Sequence, residues 1–147
     1  GAYIPLAADW VLGLNVLLNR VGNDPSLHIL AFTLDESVFA RELAPMAGHW
    51  PALRLGPPWW FHDSPNGIAR YFDAVVESAG YFNLAGFNDD TRALLSIPAR
   101  HDMWRRAVAA HLSRQITAGR FSMTDAEQLA PLLAVGLARN AYKLDAA

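Results

Sequence analysis

Two acidic side chains and a guanidinium lie close together in the segment 88–92, where Asp89, Asp90 and Arg92 follow the apolar run 82–87. A carboxylate can ligate a cation or carry a proton, and the planar arginine fork can hold a carboxylate or a pair of oxygens. In β/α enzymes the loops that follow the strands carry the chemistry. The segment 88–92 is therefore the first candidate for a functional site.

These candidate residues also have a purely structural interpretation. An Asp-x-Arg triplet taken by itself commonly caps a turn, with the arginine as its surface ion-pair partner. Trp59 and Trp60 end another apolar run, and because large aromatic side chains mostly fill cores, one of the two rings is expected to be core. His62 follows this pair closely enough to reach the same group of loops.

Basic side chains gather at the start of a predicted helix just after the acidic segment. Arg100 and His101 lie closest to it along the chain, so a supporting role beside Asp90 is expected for them. Arg105 and Arg106 lie further along the same helix and are expected on its solvated face.

Hydrophobic periodicity predicts strands and helices in alternation. Three short apolar runs suit strands buried on both faces, at 27–34, 52–56 and 82–87. A helix is predicted after each, from Phe39 towards Gly48, from Ser64 to Gly80, and from His101 to Thr117.

Further helices are predicted at both ends of the chain. The pattern over 10–21 indicates an opening helix that Gly22 would end. Near the other end, Thr124 and Glu127 have the spacing of a capping box, and Pro131 is expected to kink or shift the start of the helix that follows.

Three β-then-α units in succession predict an α/β fold with a parallel sheet. Such a sheet is small and would leave its outer strands unpaired, whereas an eight-stranded barrel takes roughly 250 residues. The predicted architecture is therefore the C-terminal portion of a (β/α)8 TIM-type barrel, about three parallel units with flanking helices. Residues 1–147 are expected to form one segment of it, and the start at Gly1 suggests that the N-terminal part of the barrel lies elsewhere.

Composition narrows the possible partners. With 12 Lys and Arg against 14 Asp and Glu, the formal charge of −2 offers no basic surface for nucleic acid. No apolar run reaches the roughly 20 residues that span a bilayer, so no membrane partner is expected. The chain has no cysteine, which excludes disulfides and thiolate metal sites and favours a cytoplasmic location.

Four segments together carry a resemblance to a known family. They are Phe-Thr-Leu-Asp-Glu at 32–36, Gly-Pro-Pro-Trp-Trp-Phe-His-Asp at 56–63, Gly-Phe-Asn-Asp-Asp-Thr-Arg at 86–92, and Ser-Ile-Pro-Ala-Arg-His-Asp at 96–102. In this order they resemble the C-terminal part of uronate isomerase, also called glucuronate isomerase, in the amidohydrolase superfamily of metal-dependent β/α barrels. The resemblance runs across nearly the whole chain.

This resemblance implies an aldose–ketose isomerisation in uronate catabolism. It converts D-glucuronate to D-fructuronate and D-galacturonate to D-tagaturonate through an enediol. It assigns Asp90 as a ligand of a divalent metal, with zinc the expected ion, and as a candidate proton carrier. It also implies a catalytic and substrate-binding role for Arg92, and a place beside the substrate for Trp59 and Trp60. His62 is expected to bind the substrate as well, because it follows the two tryptophans closely.

The chain departs from the family in what it lacks. The family's metal site also needs a His-x-His pair, which occurs nowhere in these residues, and further site residues come from the N-terminal part. The isolated chain is therefore expected to be inactive, with the missing part of the barrel or a second copy as its partner. Two alternatives remain: a non-catalytic remnant or interaction domain, and a metal-dependent hydrolase of the same superfamily. The Trp-Trp and Asp-Thr-Arg motifs favour the isomerase.

Overall fold

The computed structural model describes residues 9–60 and 62–144, so Phe61 of the Trp-Trp segment and Gly1 lie outside the described residues. The elements are α1 (Val11–Val21), β1 (Ile29–Ala31), a π-helical turn (Phe39–Leu43) that continues into α2 (Ala44–His49), β2 (Leu53–Leu55), α3 (Pro65–Ala79), 3-10 turns at Tyr81–Asn83 and Leu94–Ser96, α4 (Ile97–Thr117), α5 (Met123–Pro131), a second π-helical turn (Leu132–Gly136) and α6 (Leu137–Ala141). No helix in the described ranges is long and apolar enough to cross a membrane.

Strands β1 and β2 form a two-stranded parallel sheet. Ile29 pairs with Leu53 and Ala31 with Leu55, and the connection between them contains the helical segment that ends with α2. Both ends of the pairing are extended by one backbone hydrogen bond, of which Gly56 N to Ala31 O measures 2.8 Å. The first two β/α units predicted from the sequence are confirmed.

The prediction of a third strand over 82–87 is wrong in its extent. The segment begins as the 3-10 turn Tyr81–Asn83, and only Leu84 bridges to Leu55, beside a 2.7 Å hydrogen bond from Ala85 N to Leu55 O. Gly80 and Gly86 bracket this stretch with φ of 72° and 74°, values that favour glycine. Because the chain turns at both glycines, too few residues stay extended to build a strand, and the barrel itself stays a prediction.

Helix α3 begins and ends where its local signals predicted. The Ser64 hydroxyl accepts a 3.1 Å hydrogen bond from Gly67 N, and Pro65 occupies the first turn. The helix buries one apolar stripe, which consists of Ile68, Tyr71, Phe72, Val75 and Ala79. Fully burying a side chain of this kind stabilises a fold by about 1.5–3 kcal/mol, so α3 is a rigid support for the loops at its N-terminus.

The prediction of a capping box from Thr124 to Glu127 is wrong by two residues. Ser122 is the N-cap: its hydroxyl accepts from Asp125 N at 3.1 Å, and the Asp125 carboxylate accepts from Ser122 N at 2.9 Å. Ser122 has the extended backbone that capping requires, whereas Thr124 already lies in the first helical turn.

Pro131 does not disturb the start of this helix as expected. The first turns of α5 are regular, and the irregularity is the π-helical turn Leu132–Gly136 that follows the proline. Proline has no N–H for the carbonyl four residues earlier and its ring crowds that carbonyl, so the hydrogen-bonding register changes there.

The core joins α3, α4 and the C-terminal helices around Trp104. Its indole is 1% exposed, donates from Nε1 to Leu133 O at 2.9 Å, and packs on Phe72 with ring centroids 5.4 Å apart. Phe87 stacks on its other side at 5.1 Å with an interplanar angle of 14°. Since Phe87 directly precedes the segment 88–92, this contact fixes where that segment leaves the core.

Candidate active site

The carboxyl ends of β1, β2 and the bridged residue Leu84 lie at the same end of the sheet, because the three stretches run parallel. The loops that leave this end enclose an open cleft of about 320 Å³. It is lined by Phe32, Trp59, Asn88, Asp89, Asp90 and Tyr142. The structure therefore brings together Asp90 and Trp59, two site residues predicted from separate segments of the sequence.

Trp59 and Trp60 are both half-buried, so the prediction that one of them is core is wrong. The strand ends at Leu55, and the fully buried side chains that follow it are Pro57 and Pro58. Strand alternation therefore no longer applies when the chain reaches the tryptophans. Their ring centroids lie 6.1 Å apart, and Phe32 contacts Trp59 edge-on at 6.5 Å.

The backbone of this aromatic loop is strained. Trp60 has a φ of 60°, a conformation that residues other than glycine adopt at a cost of roughly 1–3 kcal/mol. Trp59 Nε1 is buried and has no hydrogen-bond partner among the described residues. A buried donor without a partner and a left-handed aromatic residue are both more common at functional sites than in structural loops.

Asp89 and Asp90 lie side by side in the sequence but in opposite environments. The side chain of Asp89 is 3% exposed and accepts from Arg100 Nε at 2.5 Å, whereas Asp90 is exposed at the mouth of the cleft. Asp89 Oδ2 and Asn88 Oδ1 are buried without hydrogen-bond partners among the described residues. Asp89 is thus an internal anchor, and Asp90 presents its carboxylate outward.

Arg92 and Thr91 continue the segment towards α4. Arg92 is exposed, as Asp90 is, but it is not among the residues that line the cleft. The Thr91 hydroxyl accepts from Ala93 N at 3.1 Å and lies 3.0 Å from the Ser96 hydroxyl. These local hydrogen bonds turn the chain into the 3-10 turn that precedes α4, which fixes the backbone that carries Arg92.

Arg100 bridges two buried carboxylates. It binds Asp89 through Nε and Asp63 through its terminal nitrogen. Burial raises the pKa of Asp63, and the charge and hydrogen bond of Arg100 oppose that rise. Burial also acts to lower the pKa of Arg100, but the hydrogen bond to Asp89 and the two negative charges outweigh it and raise that pKa. Arg100 therefore contacts the acidic segment, and its supporting role in a functional site stays a prediction.

The neighbours of Arg100 on α4 differ in environment. The His101 ring packs edge-on against Phe87 at 5.0 Å, which places it beside the root of the acidic segment. Arg105 and Arg106 are 55% and 80% exposed and pair with Asp102, as expected for a solvated face.

His62 is placed beside Glu36. Its Nδ1 lies 3.8 Å from Glu36 Oε1, and the same carboxylate accepts from Arg70 Nε at 3.2 Å. Glu36 belongs to the loop after β1, so this cluster joins that loop to α3. The residues lining the cleft do not include His62.

The sequence-based prediction missed three residues of the cleft. Phe32 and Asn88 lie in the motifs 32–36 and 86–92 but were not singled out, and Tyr142 follows α6, more than fifty positions after Asp90. No local pattern distinguishes Tyr142 from a surface tyrosine. Burial raises the pKa of its hydroxyl, so it is expected to act as a neutral hydrogen-bonding group.

The donor set limits what the described residues can do for a metal ion. No three metal-binding side chains converge anywhere in the ranges 9–60 and 62–144. Stable protein sites for divalent cations use several ligands, so a site that included Asp90 would need further ligands from outside the described residues. The described segment by itself does not form a metal centre.

Comparisons with known proteins identify the same segment of one family. The family model described as glucuronate isomerase matches residues 11–139. Among curated proteins, a uronate isomerase of Caulobacter vibrioides is 54% identical over 145 residues, which are 99% of this chain and 30% of that protein. A uronate isomerase of Phenylobacterium zucineum is 55% identical over 145 residues, again 99% of this chain and 30% of the relative.

Two solved structures have the same fold as this segment. The crystal structure of glucuronate isomerase from Caulobacter crescentus matches with a TM-score of 0.93 at 54% identity, over 99% of this chain and 30% of that protein chain. The crystal structure of uronate isomerase from Thermotoga maritima matches with a TM-score of 0.83 at 26% identity, over 92% of this chain and 30% of that protein chain. The chain therefore spans 30% of the length of these relatives.

Proposed function

We propose that this chain, which belongs to the glucuronate isomerase family, supplies the C-terminal part of the active site of a uronate isomerase. The observation that carries the proposal is the cleft in which Asp90 and Trp59 meet at the carboxyl ends of parallel strands. The proposed reaction is the aldose–ketose isomerisation of D-glucuronate or D-galacturonate to the corresponding ketose, D-fructuronate or D-tagaturonate.

Aldose–ketose isomerisation moves a proton from C2 to C1 and a second proton between the oxygens of these carbons. It therefore needs, first, a group that accepts the proton and returns it. It needs, second, a positive charge near the enediolate oxygens. The exposed carboxylate of Asp90 is suited to the first task. The exposed guanidinium of Arg92 is suited to the second, or to holding the substrate's own carboxylate through two parallel hydrogen bonds.

The aromatic loop is proposed to bind the sugar. The half-buried ring of Trp59 can pack against the apolar C–H face of a sugar. Trp60 packs beside it and shapes the rim. His62 lies behind this loop next to Glu36, so the proposed role of His62 in substrate binding would be to support the loop or to contact a distal part of the substrate.

A divalent cation, with zinc as the proposed ion, would take Asp90 as one ligand, and its other ligands would come from residues outside this segment. When bound, such an ion polarises the substrate oxygens and stabilises negative charge on them. The proposal limits the chain's contribution to that one carboxylate, in keeping with the donor set described above.

The remaining part of the family's barrel is the proposed partner of this chain, with a second copy as the other candidate. Helix α1 presents Leu12, Val16 and Leu17 at its surface, exposed by 65%, 53% and 46%. The described residues pair β1 on one side only, with β2. An exposed apolar helix face and an unpaired strand edge are each a typical surface for association.

A chimeric enzyme tests this function. Residues 1–147 would replace the matching segment of the Caulobacter crescentus glucuronate isomerase, with which they share 54% identity. We expect the chimera to isomerise glucuronate with a divalent metal, and Asp90→Asn to lower kcat by at least roughly 10²-fold, since it removes the charge of the proton carrier. The isolated chain is expected to show no turnover.

Asp102→Asn is the matched control, because Asp102 is an exposed aspartate on α4 that pairs with Arg105 and Arg106. It should leave turnover unchanged. A folded chimera without isomerase activity would indicate a non-catalytic remnant, and hydrolysis without isomerisation would indicate a hydrolase. Full turnover in the Asp90→Asn chimera would refute the role of this carboxylate.

A further inference from the structure

Arg100 lies where the two loops of the proposed site meet. Its Nε binds Asp89 at 2.5 Å, and its terminal nitrogen binds Asp63. Asp63 closes the loop that carries Trp59 and Trp60, and Asp89 directly precedes Asp90. One planar guanidinium thus joins residues that are 37 and 11 positions away from it along the chain.

The carboxylates that it joins are shielded from water. The side chains of Asp63 and Asp89 are 12% and 3% exposed, and that of Arg100 is 28% exposed. Ion pairs are screened little at such burial, and removing one partner leaves an uncompensated charge in a poorly solvated place. Because the guanidinium nitrogens have a fixed geometry, binding both carboxylates sets the distance between the two loops.

Backbone pairing cannot set this distance in the described segment. The sheet consists of β1 and β2, and the chain before the acidic segment joins it only through the bridge between Leu55 and Leu84. Helix α4 is a firmer support, since Trp104, one turn after Arg100, is 1% exposed in the core. Arg100 therefore lies on a helix that the core holds in place, and its side chain contacts both loops.

We propose that Arg100 is a positioning residue, which fixes the Trp59 ring and the Asp90 carboxylate relative to each other by holding Asp63 and Asp89. This inference rests on the proposed function for its catalytic consequence. In this role Arg100 acts through the two carboxylates and not by direct contact with the substrate. Asp89, although it neighbours Asp90 and is acidic, serves as the internal anchor of the acidic segment.

The test uses the chimera with Arg100→Lys and Arg100→Gln. Lysine keeps the charge but presents a single point donor, so it cannot hold both carboxylates in fixed geometry. We expect kcat per folded enzyme to fall about tenfold in Arg100→Lys and roughly 10²-fold in Arg100→Gln, because small misplacements of reacting groups have effects of this size. KM should change by less than about threefold, since each loop keeps its own contacts with the substrate.

Arg106→Lys is the matched control, because Arg106 is an exposed arginine on the same helix, and it should leave kcat and KM unchanged. The folded fraction of each variant is measured from its urea unfolding curve. Unchanged kcat in Arg100→Lys would overturn the proposal. A loss of total activity that equals the loss of folded enzyme, with kcat per folded enzyme unchanged, would overturn it as well, because Arg100 would then only stabilise the fold.

Amide hydrogen exchange in the 147-residue chain separates this proposal from the proposed function. Arg100→Gln should speed exchange in the loops around Asp63 and Asp89 and leave the middle of α3 protected. If the parent chimera lacks isomerase activity, the proposed function fails, while loop-specific exchange would still establish that Arg100 fixes the loops. Unchanged exchange in both loops, or a uniform increase that includes α3, would refute the positioning role.

Discussion

His111 makes the stability of this fold depend on pH. Its side chain is fully buried in α4, stacks on Phe72 with centroids 4.5 Å apart, and bonds through Nε2 to the Tyr81 hydroxyl at 2.7 Å. Nδ1 is buried and has no hydrogen-bond partner among the described residues. Because the ring is buried and one of its two nitrogens lacks a partner among the described residues, the folded state favours the neutral ring over the imidazolium.

Burial, assisted by the positive charge of Arg114 and opposed by Asp73, lowers the pKa of His111 from 6.5 to about 4. The unfolded chain therefore binds a proton between these pH values that the folded chain does not. Stability from the neutral ring is complete above pH 6.5 and is lost as the pH falls towards about 4. With about 1.4 kcal/mol per tenfold change in proton affinity, the loss between pH 7.5 and 4.5 is roughly 2–3 kcal/mol.

Urea unfolding at these two pH values, at one protein concentration, measures this loss. His111→Gln removes the titrating group and keeps a polar partner for Tyr81, so the fall in unfolding free energy with acid should be smaller by roughly 2–3 kcal/mol than in the parent. Comparing the two pH values within each protein cancels the cost of the substitution itself. His49→Gln, at an exposed position, is the control and should keep the parental pH dependence. Equal pH dependence in His111→Gln and the parent would refute the reasoning.

Two further pairs of substitutions test local features of the fold by urea unfolding. Ser122→Ala removes the observed N-cap of α5 and should lower the unfolding free energy by about 1 kcal/mol. Thr124→Ala should change the unfolding free energy little. A larger loss in Thr124→Ala than in Ser122→Ala would instead support the capping box predicted from the sequence. Gly67→Ala places a Cβ against the His62 carbonyl and should cost roughly 1–3 kcal/mol, while Gly13→Ala in α1, with open space around it, should stabilise by up to about 1 kcal/mol. Equal effects at the two glycines would show that the loop carrying His62 can move away from α3.

The parts of the fold that the sequence predicts are those with local causes. Ser64 and Pro65 start α3, and Gly80 follows its last residue, because capping, a fixed proline φ and a positive glycine φ act within a few residues. The run 82–87 was misjudged for the opposite reason. Apolar composition indicates burial, but a strand also needs a partner over several residues, and the turns at Gly80 and Gly86 leave only Leu84 in register with β2.

The candidate site likewise has features that the sequence predicts and features that it does not. Motifs in the sequence identify Asp90, Arg92 and the two tryptophans, and the structure brings Asp90 and Trp59 into one cleft. The sequence does not show that the Asp89 side chain is buried while its neighbour is exposed, since both are aspartates in the same polar segment. It also does not predict Tyr142, because the place of Tyr142 in the cleft depends on how α6 packs against Gly86 and His28, which are distant in the sequence.

The position of the acidic segment is therefore determined by its contacts with helix α4. Phe87 is held by its stack on Trp104, and Asp89 is held by Arg100, one turn before Trp104 on the same helix. Both contacts come from α4, which is placed by the core and not by the sheet. A substitution that destabilises α4 should thus displace Asp90 before it affects β1 or β2, although the cleft lies at the carboxyl ends of these strands. The chemistry proposed for this segment depends on a helix that carries none of the proposed catalytic residues.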